Sequence, residues 1–373
     1  MKNRSFFIFL MIISGVLIAW YGYLDWQLVF RAHLTAFQTW VASGLLALPF
    51  MMMLGFILDR VLTRHDKTSS SALSFLVHWA SFLSMGFLNF ILVLAVIRQL
   101  LCFFIPISWG LDGALGTGLV LGGGLLLLMG GIAIARFCIQ IVQVEIPLEG
   151  KSSVWDGFRI VQISDLHIDW AVSSKNIEQV IQKANEQHPD MIVLTGDMAD
   201  GKVADLHKKF RLLSKLSAPK GVFYITGNHE YYWGAEAWIE EVRRIGIVPL
   251  LNEHRLIEHR GQHLVLAGIT DYQGNMTQSV YGAPEGVPRI LLAHQPLHAM
   301  GAVSLGFDLQ LSGHTHGGQF FPWTFFIRWA QKFHKGLFKL ESMWVYVNRG
   351  TGFWGPPIRL GSSPEITVIT LIS

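Results

Sequence analysis

Five short polar motifs in the second half of this sequence carry side chains that can bind metal ions. Carboxylate, imidazole and amide oxygen ligands together suit Zn, Mn or Fe. The set is larger than one ion needs and fits two ions that share a carboxylate. Two such ions can stabilise both ends of an in-line displacement at phosphorus. In chain order the motifs are Ser-Asp165-Leu-His167, Gly-Asp197-Met-Ala-Asp200, Gly-Asn228-His229-Glu230, His294-Gln-Pro and Gly-His314-Thr-His316.

Each motif taken alone has a simpler interpretation. An isolated Asp-x-His, or a Gly-Asp after a strand, is usually a loop turn, whereas Gly-His-x-His at a strand end is more specific. All five motifs directly follow an apolar run, and this joint pattern argues against coincidence. Residues 151–373 contain no cysteine, which excludes a closed structural zinc site built on thiolates.

Short β-type apolar runs alternate with amphipathic helix patterns from Trp155 onward. This alternation predicts an α/β fold with a substantial parallel sheet. In such a sheet the carboxyl ends of neighbouring strands meet at one crevice, where ligands bind. We therefore expect the five motifs to converge. The predicted strands are Phe158–Ile163, Met191–Thr195, Gly221–Thr226, His263–Ile269, Ile290–Ala293, Leu309–Leu311, Trp344–Asn348 and Ile366–Ile372.

The first 150 residues differ in composition from the rest. The chain as a whole is 51% hydrophobic, with a mean hydropathy of +0.40. Residues 1–150 hold eight of the 29 Lys and Arg and six of the 26 Asp and Glu, so the rest carries the normal charge of a globular domain. We predict a membrane domain over 1–150 and a soluble domain over 151–373. The net charge of +3 gives no reason to propose a nucleic-acid partner, and no obligate protein partner is inferred.

Four apolar stretches are long enough to cross a hydrocarbon core of about 30 Å. The first exceeds the core length of a signal peptide and is interpreted as a retained helix. The spacing of Gly118 and Gly122 predicts close helix packing in the fourth. The predicted spans are Phe6–Leu24, Phe37–Leu58, Ala72–Ile97 and Leu111–Ala135.

Basic residues predict the orientation of these four helices. One side of the membrane carries only Arg31 and Arg98, and we assign the more basic side to the cytoplasm. The soluble domain then lies in the cytoplasm, in an integral protein of the bacterial inner-membrane type, and one miscounted helix would reverse this orientation. The more basic side carries Lys2, Arg4, Arg60, Arg64, Lys67, Arg136 and Lys151.

The order of the five motifs resembles the calcineurin-like metallophosphoesterase superfamily. The segments LLAHQP, LQLSGHTHGGQ and PEITVITL are similar to its YkuE/YaeI-type membrane-associated branch. The resemblance runs from about Val154 to the C-terminus without departure in the motif residues, and it does not cover the membrane half. It implies two β-sheets packed as a sandwich and flanked by helices, with the site at one edge.

The resemblance also implies a role for each motif residue. A hydroxide that bridges two metal ions would attack the phosphoester. His229 would protonate the leaving oxygen without binding metal, and Asp200 would hold its imidazole in place. The cofactors would be two divalent or trivalent ions, Mn, Fe or Zn. Asp165, His167 and His316 would bind the first ion and Asn228, His294 and His314 the second, with Asp197 bridging them.

Residues 317–339 interleave aromatic and cationic side chains directly after the last motif histidine. Such a mixture suits a bilayer interface. We expect this segment to border the site and to enter the headgroup layer, although packing of the segment on its own domain is a simpler alternative. Together with the membrane domain, the segment predicts the bilayer as partner and a phosphorylated lipid or lipid-linked nucleotide as substrate. The candidate substrate-binding residues are Phe320, Trp323, Arg328 and Lys332.

The sequence leaves several activities open. The bond hydrolysed is a phosphomonoester, a phosphodiester or a pyrophosphate. Within the family, UDP-diacylglucosamine pyrophosphate hydrolysis in lipid A synthesis is one similar activity, and phosphodiester hydrolysis is another. Protein phosphatase activity is a further alternative that the membrane anchor disfavours. Outside the enzymes, a membrane sensor with a non-catalytic metal domain is the alternative, and the complete set of motif residues argues against it.

Overall fold

The computed structural model describes residues 2–62, 72–104, 106, 109–148 and 150–373. Of the cations used to predict orientation, Arg64 and Lys67 lie outside the described residues. The chain forms two compact units. Unit 1 comprises Met1–Ile132 and Gly355–Ile358, and unit 2 comprises Ala133–Trp354 and Arg359–Ser373.

Four apolar helices make up unit 1, and the last of them continues into unit 2. They are α1 (Lys2–Leu28), α2 (Ala36–Leu62), α3 (Ala72–Leu101) and α4 (Ala114–Phe137). Four stretches are long and apolar enough to cross a membrane, and the first of them extends a few residues beyond the end of α1. They are Met11–Ala32, Ala36–Gly55, Leu76–Leu101 and Ala114–Phe137. The four predicted helices are confirmed, with ends that shift by a few residues.

Buried polar side chains tie the helices of unit 1 to one another. The Arg98 guanidinium donates to the carbonyl oxygens of Gln27 and Leu111, both at 2.7 Å. The Thr117 hydroxyl donates to the carbonyl oxygen of Leu28 at 3.0 Å. These bonds satisfy backbone groups at the ends of α1 and near the start of α4, where the helix itself provides no partner.

The prediction that Gly118 and Gly122 pack closely against another helix is wrong for the part of the chain that the structure describes. No described atom lies within 4 Å of the position that a Cβ atom would take at either glycine. The close approach occurs instead at Gly124, where a Cβ atom would lie 2.5 Å from Ile91 of α3. The spacing found the right helix, but the face that contacts α3 carries a different glycine.

Unit 2 is built on two six-stranded mixed sheets. The strands of the first sheet are β1 (Gln140–Pro147), β2 (Arg159–Ile163), β3 (Met191–Thr195), β4 (Val222–Ile225), β5 (Val248–Pro249) and β12 (Glu365–Ile372). Their order is β1-β12-β2-β3-β4-β5, and every neighbouring pair except β12 and β2 is parallel.

The second sheet is parallel in its centre and antiparallel at both edges. Its strands are β6 (Glu253–His259), β7 (Gln262–Gly268), β8 (Arg289–Leu292), β9 (Leu309–Ser312), β10 (Gly336–Leu340) and β11 (Met343–Val347). Their order is β10-β11-β9-β8-β7-β6, with β10 and β6 as the antiparallel edges.

The two sheets pack face to face around one apolar core. Ile160 and Val193 of the first sheet belong to the same buried cluster as Leu266 and Leu292 of the second. Helices cover the outer faces of the sheets, so the predicted two-sheet α/β sandwich is confirmed. The helices of unit 2 are α5 (Ser174–Asn185), α6 (Val203–Phe210), α7 (Asn228–Trp233), α8 (Ala235–Arg244), α9 (Met276–Ser279), α10 (Ala299–Ala302) and α11 (Trp323–Ala330).

Four strands were missed by the sequence analysis, namely β1, β5, β6 and β10. β1 lies before the predicted domain boundary at residue 150 and pairs in parallel with β12, from Gln140 opposite Glu365 to Pro147 opposite Ile372. Most of β1 is exposed or half-buried, as is most of β6 and β10. Edge strands of this kind contain polar residues, and therefore do not form the continuous apolar runs that mark buried parallel strands.

Candidate metal centre

The five polar motifs lie at the carboxyl ends of β2, β3, β4, β8 and β9. Within each sheet these strands are parallel neighbours, so their motifs share one edge of that sheet. The two edges meet at Asp165, because the backbone N–H of His314 donates to both of its carboxylate oxygens at 3.1 Å. The structure thus brings the motifs of both sheets together.

The first ligand set consists of Asp165, His167 and His316. One ligand atom from each lies within 4.8 Å of the others. His316 Nε2 is 3.1 Å from His167 Nε2 and 3.4 Å from Asp165 Oδ1. All three residues are buried. Two imidazole nitrogens and one carboxylate oxygen that face a common point are suitable donors for a transition-metal ion.

The second ligand set consists of Asp197, His294, His314 and Asn228. The two histidines and Asp197 offer ligand atoms within 4.8 Å of one another. Asn228 joins them, because its Oδ1 atom lies 3.0 Å from His314 Nδ1. The two sets contain the same seven residues that the sequence predicts as ligands.

Asp197 belongs to the second set and also lies close to the first. Its Oδ2 atom lies 3.2 Å from His294 Nε2 and 3.9 Å from His167 Nε2. A third group of potential ligands, formed with His167 and His229, also contains it. One carboxylate therefore stands between the imidazoles of the two sets, which is the position of a bridging ligand.

The tautomer of His294 tests whether the second set fits a cation. His294 Nδ1 lies 2.8 Å from the carbonyl oxygen of Thr195. A carbonyl only accepts hydrogen bonds, so Nδ1 carries a proton, and in the neutral imidazole Nε2 presents its lone pair toward Asp197. Nε2 is buried and has no hydrogen-bond partner among the described residues. A buried lone pair that faces a carboxylate is left unsatisfied by the protein alone and fits a metal ion.

The charges around His294 lead to the same conclusion. Burial alone lowers the pKa of His294, but the charge of Asp197 more than offsets it and raises the pKa well above the ordinary value. A proton on His294 would compensate the carboxylate, and a bound cation would replace that proton. Burial and the charge of Arg359 lower the pKa of His316 well below its ordinary value, which favours its neutral imidazole.

Close backbone approach at the site depends on glycine. A Cβ atom at Gly227 would collide with Asp197, and one at Gly313 would collide with Ser164 and Asp165. The space between the motifs is therefore too small for any larger residue at these two positions.

Left-handed backbone conformations concentrate at the ligand sets. Such conformations are uncommon for residues other than glycine and cost about 1–3 kcal/mol each where sparsely populated. Here they turn the chain sharply at the strand ends and direct consecutive side chains inward. Positive φ angles between 47° and 72° occur at Asp165, His167, Asp197, His314 and His316.

His229 stands beside the ligand sets with one nitrogen held and the other facing them. Nδ1 lies 2.9 Å from Asp200 Oδ1, and Nε2 lies 3.9 Å from Asp197 Oδ2. Trp233 Nε1 donates to the same Asp200 oxygen at 2.8 Å, which fixes the carboxylate. Burial lowers the pKa of His229, but the hydrogen bond and charge of Asp200 more than offset this and raise the pKa to about 8.

Glu230 supports the site, although the sequence analysis assigned it no role. Its buried carboxylate accepts the backbone N–H groups of Gly227, Asp197 and Met198 at 2.7 to 3.1 Å. Burial is the main reason that the pKa of Glu230 is raised to about 7. The side chain joins the Gly-Asp and Gly-Asn-His-Glu motifs, which come from neighbouring strands.

Arg359 is a second supporting residue that the sequence analysis missed. Its buried guanidinium donates to the carbonyl oxygen of His316 at 3.0 Å and to that of Arg349 at 2.8 Å, and Nη2 lies 2.8 Å from His316 Nδ1. Burial lowers the pKa of Arg359 to about 9. Arg359 thereby fixes both the backbone and the ring of His316, yet no local sequence pattern marks it.

The four candidate substrate-binding residues fall in different environments. Phe320 is buried inside unit 2, where its backbone bridges to Leu360. Trp323 and Arg328 lie on α11, which contains no buried residue. Lys332 follows that helix, with its ammonium 5.4 Å from the ring of Phe333. The structure thus groups three of the four on or next to α11 and places Phe320 in the interior.

Clusters of Asp and His at the strand ends of a two-sheet α/β sandwich indicate the metallophosphoesterase class of proteins. A family model described as calcineurin-like phosphoesterase matches residues 158–318. The chain belongs to this family, as the order of the motifs indicated. The family and the clusters of His and Asp imply divalent metal ions as cofactors.

Curated relatives are described as metallophosphoesterases, and some of them as transmembrane proteins. A transmembrane protein with metallophosphoesterase domain from Danio rerio is 35% identical over 249 residues, which cover 62% of this chain and 57% of that protein. The metallophosphoesterase YkuE of Bacillus subtilis is 32% identical over 283 residues, which cover 71% of this chain and 96% of that protein. With its four apolar helices, the chain is a membrane protein.

The curated relatives and the solved structures match different shares of their own chains and of this chain. The chain spans 57% of the Danio rerio relative and 56% of a Bos taurus protein of the same description. Among solved structures, phosphopantetheinyl hydrolase from Mycobacterium tuberculosis matches with a TM-score of 0.34 and 13% identity over 54% of this chain and 91% of that chain. This last resemblance is too distant to inform the chemistry of the site.

Proposed function

We propose that this chain is a membrane-anchored metallophosphoesterase that hydrolyses a phosphoester or pyrophosphate bond. The observation that carries the proposal is the position of the Asp197 carboxylate, which lies within 4 Å of an imidazole nitrogen in each ligand set. Two divalent ions bound there would polarise phosphoryl oxygens and lower the pKa of water. Mn, Fe and Zn all suit these donors.

The protein's own contribution to the reaction is a positioned proton donor. The acid that protonates a leaving oxygen must lie within hydrogen-bond reach of it. His229 Nε2 faces the ligand sets, whereas Nδ1 is occupied by Asp200. Asp200 accepts a hydrogen bond from Nδ1–H of His229 and fixes the orientation of the ring. The proton on Nε2 is therefore the one available to the leaving group.

Hydrolysis of bis-p-nitrophenyl phosphate by the full-length protein with added Mn²⁺ tests this proposal. We expect turnover in the wild type and its loss in Asp197→Ala. Asp205→Ala is the matched control, because Asp205 is exposed on α6 and belongs to none of the motifs. Binding of Mn²⁺ without hydrolysis of this or any other phosphoester would favour the non-catalytic sensor.

The exposed aromatic surface of α11 supports a lipid-related substrate. Trp323, Phe325, Phe326 and Trp329 expose between 42% and 70% of their surface. No Asp or Glu occurs between residues 309 and 340, where Arg and Lys occur four times. Exposed aromatic rings with cations and no acidic residues suit the headgroup layer of an anionic membrane. The substrate that such a surface favours is a phosphorylated lipid or a lipid-linked nucleotide.

The cation next to the α11 rings strengthens this interpretation. The Arg328 guanidinium lies 4.4 Å from the ring centroid of Phe325. A charged head group on an apolar stem can remain at the level of lipid phosphates while neighbouring rings enter the acyl boundary. UDP-diacylglucosamine, which combines a lipid with a pyrophosphate, is a specific candidate within this class.

A fluorescent probe at position 329 tests the contact with lipid. We would label Trp329→Cys in a chain with Cys102→Ser and Cys138→Ser, and reconstitute it in nanodiscs that contain phosphatidylglycerol and nitroxide-labelled lipid. We expect strong quenching at 329 and little at the control site Tyr281→Cys, which is 87% exposed. Equal quenching at the two positions would show that α11 has no preference for the bilayer.

A substrate panel separates lipid from protein substrates. Phosphatidic acid vesicles, UDP-diacylglucosamine and phosphopeptides would be compared at equal concentrations of reactive phosphorus. We expect kcat/KM to be highest for one of the two lipids. Preference for the phosphopeptides would support the protein phosphatase alternative.

The positive-inside bias supports a cytoplasmic position of unit 2 in a bacterial inner membrane. Labelling of Tyr281→Cys, again in the Cys102→Ser and Cys138→Ser background, by a membrane-impermeant maleimide tests it. We expect labelling only after the inner membrane has been opened. Labelling in spheroplasts with an intact inner membrane would place unit 2 outside.

A further inference from the structure

Two half-exposed aromatic side chains contact His229 and a third lies beside one of them, and none has a role in the chemistry described so far. We call Tyr232, Tyr272 and Trp354 the aromatic rim. Each exposes between 47% and 57% of its surface, and all three belong to unit 2. Large rings held half-exposed next to a catalytic group commonly form part of a binding site.

Trp354 is held through its backbone, which leaves its ring available. Gln319 Nε2 donates to the Trp354 carbonyl oxygen, and Gln319 Oε1 accepts the Trp354 N–H, both at 2.9 Å. The indole ring meets the His229 ring edge to face, with centroids 5.7 Å apart. Because Gln319 comes three residues after His316, this clamp ties Trp354 to the first ligand set.

Tyr232 and Tyr272 are attached to the second ligand set. The Tyr232 ring lies 5.1 Å from the His229 ring, and its hydroxyl accepts from Asn228 Nδ2 at 3.4 Å. The Tyr272 ring packs against the Tyr231 ring with centroids 4.9 Å apart, and interaction with Tyr232 raises the pKa of Tyr272 to about 12. The rim therefore has two neutral phenol hydroxyls on the side of the second set and an indole on the side of the first.

The position of His229 shows which part of a substrate would meet these rings. The proposed function makes His229 the donor to the leaving oxygen, so the group attached to that oxygen must leave the site past the His229 ring. Both Tyr232 and Trp354 lie within 6 Å of that ring. None of the three side chains of the rim carries a charge, so the rim suits a neutral group with an aromatic face and polar ring atoms.

We propose that the aromatic rim binds the leaving group of the substrate and selects a planar ring, such as a nucleobase or another heteroaromatic group. This proposal rests on the role of His229 in the proposed function. Among the substrates considered above, it favours the nucleotide-bearing class over simple phosphorylated lipids. Aromatic rings stack on planar ligands with energies that correspond to about tenfold or more in affinity.

Binding of two non-hydrolysable phosphonates tests the proposal without requiring turnover. Benzylphosphonate carries a planar ring where the leaving group would be, and ethylphosphonate does not. Calorimetry on the metal-loaded, full-length protein would give the ratio of their dissociation constants. We expect the wild type to bind benzylphosphonate about tenfold more tightly, and Trp354→Leu and Tyr272→Leu each to reduce this ratio to about threefold or less.

The controls separate ring recognition from damage to the fold. Trp354→Phe keeps a ring and should restore most of the ratio. Tyr281→Leu removes an exposed tyrosine outside the rim and should keep the wild-type ratio. Tyr232 is not substituted, because its hydroxyl contacts Asn228. A wild-type ratio near one, or ratios in the two leucine variants equal to that of the wild type, would overturn the proposal.

Failure of the two proposals would give different results. If the wild type hydrolyses bis-p-nitrophenyl phosphate but shows no preference between the phosphonates, the rim proposal fails and the phosphoesterase stands. If it prefers benzylphosphonate through Trp354 and Tyr272 but hydrolyses no phosphoester, the proposed function fails and ring binding by the rim stands.

Discussion

Units 1 and 2 differ in what they expose and in what their buried polar groups do. Unit 1 exposes large apolar residues such as Trp40, whereas unit 2 buries Trp155 and Trp238. In unit 1 the buried Arg98 hydrogen-bonds backbone carbonyls, while in unit 2 the buried His294 presents an unsatisfied nitrogen to Asp197. Arg98 thus serves the backbone of its own helices, whereas the unpartnered nitrogen of His294 faces a carboxylate, an arrangement that a metal ion would complete.

α11 is the part of unit 2 that resembles unit 1. Each described residue of α11 is exposed or half-buried, and its aromatic side chains contact mainly one another, with ring centroids of Phe325, Phe326 and Trp329 5.2 to 5.6 Å apart. An apolar surface of this kind is stable in hydrocarbon or at its boundary but unfavourable in water. Substitutions in both units and on α11 test the roles assigned to these buried and exposed side chains.

The largest effect is expected for His294→Ala. Removing one ligand from the second set should reduce kcat/KM for bis-p-nitrophenyl phosphate by about a thousandfold or more, because the charge of the transition state loses its support. Metal content, measured by mass spectrometry, should fall with it. His263→Ala, an exposed histidine on β7, should match the wild type. Full activity of His294→Ala would mean that an unsatisfied buried nitrogen does not identify a functional site here.

Next in size is Trp238→Ala in the core of unit 2. Its ring is fully buried and packs 4.7 Å from Phe210, and its Nε1 donates to the Gly201 carbonyl at 3.0 Å. Loss of such a ring costs about 3–5 kcal/mol of unfolding free energy. Denaturant unfolding in detergent, followed by near-ultraviolet circular dichroism, would measure it. A cost below about 1 kcal/mol would contradict the described packing of α8.

A smaller effect is expected for Arg98→Met in unit 1. The substitution keeps the apolar stem but leaves the carbonyl oxygens of Gln27 and Leu111 without their donor, which costs about 1–3 kcal/mol. The thermal unfolding of the helices, followed by far-ultraviolet circular dichroism, should shift downward, while Arg243→Met on the exposed face of α8 should leave it unchanged. Phosphoesterase activity at low temperature should persist in Arg98→Met. Loss of activity with unchanged stability would mean that Arg98 acts in the chemistry.

The smallest effect is expected for Trp329→Ala. Its ring is 70% exposed, and exposed substitutions usually change stability by less than about 0.5 kcal/mol. The same denaturant experiment as for Trp238→Ala measures it, so the two tryptophans form a direct comparison. A loss of several kcal/mol would show that α11 packs within the protein rather than facing another medium.

The strand ends could be predicted because their signal is local. At β3, for example, the predicted strand Met191–Thr195 matches the observed one, and Asp197 follows after a single glycine. An apolar run and the polar residue after it are both visible within ten residues of sequence. Parallel pairing then brings the motifs together without further information about the side chains.

The supporting residues could not be predicted, because their partners are distant in sequence and lie on the backbone. Arg359 contacts carbonyl oxygens at His316 and Arg349, and a carbonyl leaves no trace in the residue type. Trp354 and Tyr272 come from loops without periodicity. In the sequence Phe320 cannot be told from the other rings of its aromatic segment, but its backbone β-bridge to Leu360 places it inside unit 2.

The position of β12 has a consequence for synthesis of the chain. β12 follows the other eleven described strands in the chain, yet it lies between β1 and β2 in the first sheet. Until β12 has been synthesised, both of those strands have an open edge, and contacts over such sequence separations form slowly. A stop codon just before Glu365 would leave both edges permanently open, so loss of β12 should cause aggregation rather than a mild loss of stability.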